Sequence, residues 1–186
     1  MKTKLHNNSY YEFYPNFAKN KEKIIFDNIY KEIEWEHRKI KIYGKEIFQP
    51  RLIGWGGTVP YTYSRSTLDP KELKPQTANL LRVINKITNN EFNHVLLNLY
   101  RDGKDSISAH SDDEKKLGNQ PIIASLSFGA SRKFKIEGLE ESYELVLNSG
   151  SLLIMGGNMQ RYYKHSIPKE PKVKSPRINL TFRKIF

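Results

Sequence analysis

The sequence contains no cysteine, and this absence excludes several classes of protein at once. Disulfide-stabilised scaffolds, zinc sites with thiolate ligands and cysteine nucleophiles all require that residue. Long apolar runs are missing as well, since no stretch approaches the roughly 20 residues that a membrane-spanning helix needs. The basic N-terminus also lacks the apolar region of a secretory signal. We therefore expect an intracellular protein, nuclear in a eukaryote and cytoplasmic in a bacterium or a virus.

The residues that are present describe a folded, basic protein. The chain has 186 residues, of which 38% are hydrophobic and 12% aromatic, so it can bury a core and fits one domain. We expect a flexible tail over residues 1–10 and a single domain over residues 11–186, acting as a monomer. The formal net charge of +11 favours a polyanionic partner, and nucleic acid fits it better than a membrane surface.

Two helices come early in the chain, and short strands fill most of the remainder. Apolar residues recur every three to four positions over residues 16–35 and again over 76–88, as on one face of an amphipathic helix. Further on, short apolar runs are separated by glycine-containing turns, which is typical of strands. The pattern predicts an α+β fold with a β-sandwich or jelly-roll core and the N-terminal helices packed on one sheet.

Three residues are candidates for holding a metal ion. His110 and Asp112 are two positions apart, so in an extended backbone their side chains point to the same face. His165 follows after several strands have had room to fold back. Two histidines and one carboxylate with open positions are the ligand set of non-haem Fe(II) oxygenases. The same ligands also suit zinc in a hydrolase. A His-Ser-Asp sequence is also common in exposed turns that bind no metal, so these residues alone do not decide whether a metal site is present.

The C-terminal segment alternates strictly between polar and apolar residues. Over 177–183, the period of two places Arg177, Asn179, Thr181 and Arg183 on one face of a strand. Two guanidinium groups on one face would bind a dicarboxylate, because guanidinium pairs with carboxylate bidentately. A half-exposed strand with solvated arginines would show the same pattern. Asn98 and Tyr100 have the same spacing on another strand, so the set suits a 2-oxoglutarate clamp beside an iron site.

Several motifs together carry a family resemblance. They are FN at 92–93, NLY at 98–100, RDG at 101–103, HSDDE at 110–114, ASLSFGA at 124–130, SLLIM at 151–155, YKHS at 163–166 and PRINLTFR at 176–183. On these motifs, the chain resembles the AlkB family of Fe(II)/2-oxoglutarate dioxygenases, nearest its members that repair duplex DNA. The resemblance runs from about residue 43 onward. The spacing of Arg177 and Arg183 after His165 also matches that family.

The resemblance implies a double-stranded β-helix core and a role for each motif. It implies that Fe(II) is held by His110, Asp112 and His165, and 2-oxoglutarate by Asn98, Tyr100, Arg177, Asn179, Thr181 and Arg183. We expect Arg183 at the distal carboxylate of 2-oxoglutarate and Arg177 at the end nearer the iron. With O2, such an enzyme converts 2-oxoglutarate to succinate and CO2, hydroxylates an N-methyl carbon of a damaged base and releases formaldehyde.

For the substrate, the resemblance implies alkylated DNA, with 1-methyladenine and 3-methylcytosine as the expected lesions. Residues 39–66 would form nucleotide-recognition hairpins, with Tyr43 at a tip where similar proteins carry a phenylalanine wedge. Because the methyl group lies inside the base stack, the base must be flipped out or taken from a single strand. The positions that match the lesion pocket of similar proteins are Arg51, Tyr61, Tyr63, Asp113 and Glu114.

Other substrates and other classes of protein stay open at this stage. The iron and 2-oxoglutarate motifs would serve equally on RNA, a protein or a lipid, although the basic charge and the hairpin favour DNA. A nucleic-acid-binding module with an inactive site is the alternative from another class. Loss of a metal ligand or an arginine would support that alternative, and none is missing. A zinc hydrolase would leave the two aligned arginines unexplained.

Overall fold

Antiparallel β-strands are the main element of the structure, a computed structural model that describes residues 2–42, 45–63 and 66–186. The first strands are β1 (Lys2–Leu5), β2 (Ser9–Tyr14), β3 (Lys39–Ile42), β4 (Lys45–Phe48), β5 (Leu52–Gly57), β6 (Tyr61–Tyr63), β7 (Ser66–Leu68) and β8 (His94–Tyr100). The later strands are β9 (Ile107–His110), β10 (Ile123–Gly129), β11 (Arg132–Glu137), β12 (Ser142–Leu147), β13 (Ser151–Gly157), β14 (Lys164–Ile167) and β15 (Arg177–Arg183). The helices are α1 (Glu22–Glu32), α2 (Pro75–Thr88) and α3 (Met159–Tyr162), with a 3-10 turn at Lys115–Leu117.

Two sheets form the body of the fold. The larger sheet has seven strands in the order β1-β2-β13-β10-β15-β8-β5, and the smaller has four in the order β12-β11-β14-β9. Several neighbours in these sheets are far apart in the chain, as β15 between β10 and β8 shows. This crossing of the chain between two antiparallel sheets is the jelly-roll arrangement.

The seven-stranded sheet is buried on both faces. On one face, Leu97, Leu126 and Leu180 pack against Ile29 of α1 and Ile84 of α2. On the other face, residues that include Leu96 and Leu153 pack with Phe134 and Ile136 of the four-stranded sheet. Successive side chains along each strand therefore point in turn into two apolar layers, one under the helices and one between the sheets. The predicted α+β jelly-roll with its helices on one sheet is confirmed.

The helices are placed as predicted, but the first is shorter than its apolar pattern. We predicted residues 16–35, whereas α1 spans Glu22–Glu32. Asn20 has a left-handed φ of 70°, which no helix interior accepts, so residues 16–20 form turns instead. Helix α2 begins at Pro75, and the Glu32 carboxylate accepts the backbone N–H groups of Gln76 and Thr77. One helix thus caps the next.

The first ten residues differ from the expected loose tail. Strands β1 and β2 form a hairpin with a three-residue connection, in which Asn7 and Asn8 both have positive φ and the Ser9 N–H donates to the His6 carbonyl oxygen. Such a turn matches the twist of the flanking strands, and asparagine tolerates its backbone conformation. Strand β2 then pairs with β13, which places Tyr11 in the apolar layer between the sheets. The Asn-Asn turn between short alternating runs is the signal that predicts this hairpin.

Two short hairpins, β3–β4 and β6–β7, lie within the segment predicted for nucleotide recognition. Neither joins the two large sheets, and all four residues of β4 are exposed. The Phe48 ring lies 4.5 Å from the His37 ring, measured between centroids, and is 53% exposed.

None of the helices in the described part of the chain has the length and apolar character of a membrane span.

Candidate active site

The predicted metal ligands converge where β9 meets β14. In the pairing of these strands, His110 lies opposite His165, and their ring centroids are 4.3 Å apart. Asp112 follows two residues after β9 ends. One ligand atom from each of the three residues lies within 4.8 Å of the other two. The period-two spacing of His110 and Asp112 and the fold-back of His165 therefore produce one compact cluster.

The protonation of the two histidines leaves nitrogen lone pairs available. The Nδ1 atom of His110 lies 2.8 Å from the Ser108 carbonyl oxygen, so Nδ1 carries the proton and Nε2 remains an acceptor. Burial, together with the neighbouring His110, lowers the pKa of His165 to about 3. Nδ1 of His165 has no hydrogen-bond partner among the described residues. Neutral imidazoles with free nitrogens are metal ligands.

Asp112 is ionised although it is buried. Burial alone would raise the pKa of its carboxyl group, but Arg183 and the two histidines lower it to about 2. The Nη2 atom of Arg183 donates to Oδ1 of Asp112 at 2.8 Å, and both side chains are almost wholly buried. Oδ2 has no partner in the described part of the chain. One carboxylate oxygen is therefore fixed by the arginine, and the other is left for a ligand.

The polar face of β15 lines a cavity of about 40 Å³ between the two sheets. Arg177, Asn179, Thr181 and Arg183 all border it, together with Asn98 and Tyr100 of β8 and the three metal-ligand candidates. Burial lowers the pKa of Arg177 to about 10. Nε and Nη1 of both arginines lack hydrogen-bond partners among the described residues. Buried guanidinium donors without partners suit an anionic ligand.

The order of the two arginines along the cavity is the reverse of our expectation. We expected Arg177 nearer the iron, but it is Arg183 that contacts Asp112. At the other end, Arg177 donates from Nη2 to Oγ of Ser127 at 2.9 Å and lies 5.1 Å from the centre of the Tyr100 ring. The expectation was wrong because the alternation of a strand identifies a face, not which of its ends lies against the metal ligands.

The smaller polar residues of the cavity hold one another in place. Nδ2 of Asn179 donates to Oγ of Ser125 at 2.8 Å, and Oγ1 of Thr181 donates to Oδ1 of Asn179 at 3.1 Å. Oδ1 of Asn98 accepts a hydrogen bond from Nε of Arg51 at 2.7 Å. The first two bonds connect β15 to β10 and fix residues within β15, and the third connects β8 to the residue that precedes β5; all four strands belong to the large sheet. The predicted cosubstrate residues are thus brought together as one polar wall.

The residues predicted for the lesion pocket do not all lie together. Arg51 is buried against Asn98, as described above. Tyr61 is buried beside Arg183 and close to Glu114. Burial raises the pKa of both side chains, and the charge of Asp112 raises both further, whereas Arg183 lowers both. Asp113 is exposed and borders a separate surface cleft. The backbone of Tyr63 lies in β6, and Tyr43 lies outside the described residues.

Sequence reasoning missed several residues of the site. Gln160 of α3 accepts the backbone N–H of Asp112, and Phe134 stacks on the His165 ring at 5.4 Å. Ser125 and Ser127 carry the polar wall into β10. Their signal was available, because they alternate with buried apolar residues in the same period of two as β15. Nothing in the sequence marks Gln160, whose role depends on how α3 packs.

The donor groups present fit an iron ion and 2-oxoglutarate. Two imidazoles and a carboxylate with an unpartnered oxygen form the facial ligand set of Fe(II) oxygenases. Next to them, two buried arginines offer free donors to an acid with a carboxylate at each end. A hydrolytic zinc site would use the two imidazoles and the carboxylate, but it would give no role to the two buried arginines. The cavity therefore suits an oxygenase better than a hydrolase.

Comparison with known proteins identifies the family. A sequence model of the 2OG-Fe(II) oxygenase superfamily matches residues 11–183. The chain is 40% identical over 185 residues to "Alpha-ketoglutarate-dependent dioxygenase alkB homolog 3" from Bos taurus, covering 92% of this chain and 65% of that protein. It is 36% identical over 184 residues to "DNA oxidative demethylase ALKBH2" from Homo sapiens, covering 91% and 70%. This chain belongs to the AlkB family of 2OG-Fe(II) oxygenases.

The fold agrees with that of an AlkB protein of known structure. "The structure of OsALKBH1" superposes with a TM-score of 0.68 and 16% sequence identity, covering 99% of this chain and 100% of that one. The 2OG-Fe(II) oxygenase superfamily uses Fe(II), 2-oxoglutarate and O2, and this chain contains a His-Asp-His cluster that could hold the metal. The chain spans 65% of the length of the alkB homolog 3 proteins from cattle, mouse and human.

Proposed function

We propose that this chain is a DNA oxidative demethylase. It would remove N-methyl groups from 1-methyladenine and 3-methylcytosine with Fe(II), O2 and 2-oxoglutarate, releasing formaldehyde, succinate and CO2. One observation carries the proposal: a His-Asp-His cluster and two buried arginines with free donors border the same cavity. The relative "DNA oxidative demethylase ALKBH2" supports DNA as the class of substrate.

The iron would be held by His110, Asp112 and His165. When bound with 2-oxoglutarate, Fe(II) supplies the oxidising chemistry that activates O2 and hydroxylates a methyl carbon. The chain's own contribution is to keep the three ligands in the correct protonation state. Burial keeps His165 neutral at neutral pH, while Arg183 keeps Asp112 ionised. The proton on Nδ1 of His110 is fixed by the Ser108 carbonyl group.

The dicarboxylic cosubstrate would lie along β15. Arg177, with the Tyr100 ring beside it, is at the end of the cavity away from the metal ligands and would bind the distal carboxylate. Arg183 would serve the end beside the metal while it holds Asp112. Asn98, Asn179 and Thr181 line the wall between them. Because these donors are buried, they would bind the cosubstrate in a fixed orientation and exclude water from it.

The methylated base would enter beside Tyr61 and Glu114. Both side chains lie close to Arg183 and Asp112, as the effects of these charges on the pKa of each show. A base inside a duplex cannot reach a buried site, so it must first leave the stack. The segment 39–66, which includes Tyr43, is our proposal for the part that contacts the DNA around the flipped base. The charge of +11 supports a polyanionic substrate.

Incubation of methylated oligonucleotides with the enzyme, Fe(II) and 2-oxoglutarate tests the proposal. Mass spectrometry of single- and double-stranded DNA carrying 1-methyladenine or 3-methylcytosine should show the loss of one methyl group, matched by formaldehyde and succinate. Unmethylated DNA is the control. If methylated RNA were demethylated and methylated DNA were not, the substrate would be RNA and the proposal for DNA would fail. Succinate formation without any change in nucleic acid would point to a protein or lipid substrate, and no turnover would indicate an inactive binding module.

A further inference from the structure

Gln160 connects two parts of the chain that both carry metal-ligand candidates. It lies in the short helix α3, is 4% exposed, and its Oε1 accepts the backbone N–H of Asp112 at 2.9 Å. Five residues after Gln160, the same segment enters β14 and supplies His165. A single side chain therefore joins the loop that carries Asp112 to the segment that carries His165.

The backbone N–H of Asp112 needs a side-chain partner because the strand pairing stops before it. β9 ends at His110, and its pairing with β14 changes register between His165 and Ile167. Asp112 is 1% exposed, so water is not available to its backbone. A buried N–H group without an acceptor is rarely tolerated. If the Gln160 oxygen were removed, the loop would have to move to find another acceptor.

Asp112 is thus held at two points. Arg183 fixes one oxygen of its carboxylate, and Gln160 fixes its backbone. One oxygen of this carboxylate lies in the cluster with His110 and His165, and Oδ2 has no partner among the described residues. We propose that Gln160 is a positioning residue for the metal site, acting through the backbone of Asp112. The inference rests on the proposed assignment of these three residues as metal ligands.

The chemistry of the contact defines the variants. Gln160→Leu removes the acceptor and keeps a side chain of similar size, and Gln160→Met does the same with an unbranched chain. Gln160→Glu keeps an oxygen acceptor at the same distance from the backbone. Gln120→Leu is the matched control, because Gln120 hydrogen-bonds Asn158 at the start of α3 and is exposed.

Binding of Co(II) to the metal-free protein, without 2-oxoglutarate, is the measurement. Calorimetry and the visible absorption of Co(II) give the dissociation constant without any turnover. Loss of a group that orients a metal ligand weakens metal binding by about 10–100-fold. We expect a weakening in that range for Gln160→Leu and Gln160→Met. The Co(II) dissociation constant of Gln160→Glu should stay much closer to that of the unaltered protein. The constant of Gln120→Leu should equal that of the unaltered protein. Thermal unfolding of the metal-free proteins checks that each variant is folded.

The outcomes separate this inference from the assignment of the metal site. If the unaltered protein binds no Co(II), the assignment of the three ligands fails. If it binds Co(II) and folded Gln160→Leu and Gln160→Met bind it equally well, Gln160 does not position Asp112. If Gln160→Glu loses as much affinity as the two apolar variants, the hydrogen bond to the Asp112 backbone is not the reason. Each of the last two results overturns the inference.

Discussion

The cavity between the sheets and the hairpin β3–β4 differ in what holds their side chains. Arg177 and Arg183 lie on a strand with a neighbour on each side and are almost wholly buried. All four residues of β4 are exposed, and the hairpin is a ribbon of two strands. A two-stranded ribbon gains little stability by itself. We therefore expect the cavity to tolerate few substitutions and the hairpin to tolerate many, except where it contacts substrate.

The largest effect should come from a metal ligand. Asp112→Asn preserves the shape of the side chain but removes the charge that pairs with Arg183 and would bind iron. Because the carboxylate is one of three ligands, we expect formaldehyde release to fall by more than about 100-fold. Asp27→Asn on α1, far from the cavity, is the control. Turnover by Asp112→Asn at the rate of the unaltered enzyme would remove Asp112 from the metal site.

The two ends of β15 should respond differently. Losing one member of a buried charge pair costs about 2–5 kcal/mol, so Arg177→Gln should weaken 2-oxoglutarate binding by more than tenfold. It should leave Co(II) affinity unchanged, since Arg177 lies away from Asp112. Arg183→Gln should weaken both, because Arg183 also holds the Asp112 carboxylate. Calorimetric titrations of each variant with each ligand measure this. Equal effects of the two variants on Co(II) would contradict the order of the arginines in the cavity.

A smaller effect is expected at the proposed hairpin tip. An aromatic side chain that fills the gap left by a flipped base replaces stacking of about 1–3 kcal/mol. Tyr43→Ala should therefore slow repair of methylated duplex DNA about tenfold, while repair of single strands is spared because no base pair has to open. Tyr43→Phe should keep duplex repair. Repair rates measured in parallel on duplex and single-stranded DNA test this prediction. Equal losses of rate on both substrates would mean that Tyr43 is a packing residue.

The smallest effect should be on the stability of the hairpin itself. Ile47 in β4 is 44% exposed, and Ile47→Ala should change the free energy of unfolding by no more than about 0.5 kcal/mol. Ile123 in β10 is fully buried, and Ile123→Ala should lower it by about 2–5 kcal/mol. Urea unfolding curves of the two variants give both values. A large cost at Ile47 would mean that the hairpin is packed more tightly than its exposure indicates.

Much of the site could be predicted from the sequence because periodicity reports which face a side chain occupies. The alternation of 177–183 identified the polar face of β15, and the spacing of His110 and Asp112 identified their common direction. Periodicity carries no information about the neighbour of a strand. Two features depend on contacts between distant segments. The end of β15 that contacts Asp112 was predicted in reverse, and the hydrogen bond from the Asp112 backbone to Gln160 was missed.

The N-terminal hairpin covers the edge of β13 in the large sheet. Without β1 and β2, the backbone of β13 (Ser151–Gly157) would present an open row of N–H and carbonyl groups to any other extended chain. Open strand edges of this kind promote aggregation, and charged residues on the outermost strand discourage it. Lys2 and Lys4 occupy that position on β1. Shortening the chain at this end to simplify its production would thus remove the cover from an apolar strand and reduce its solubility.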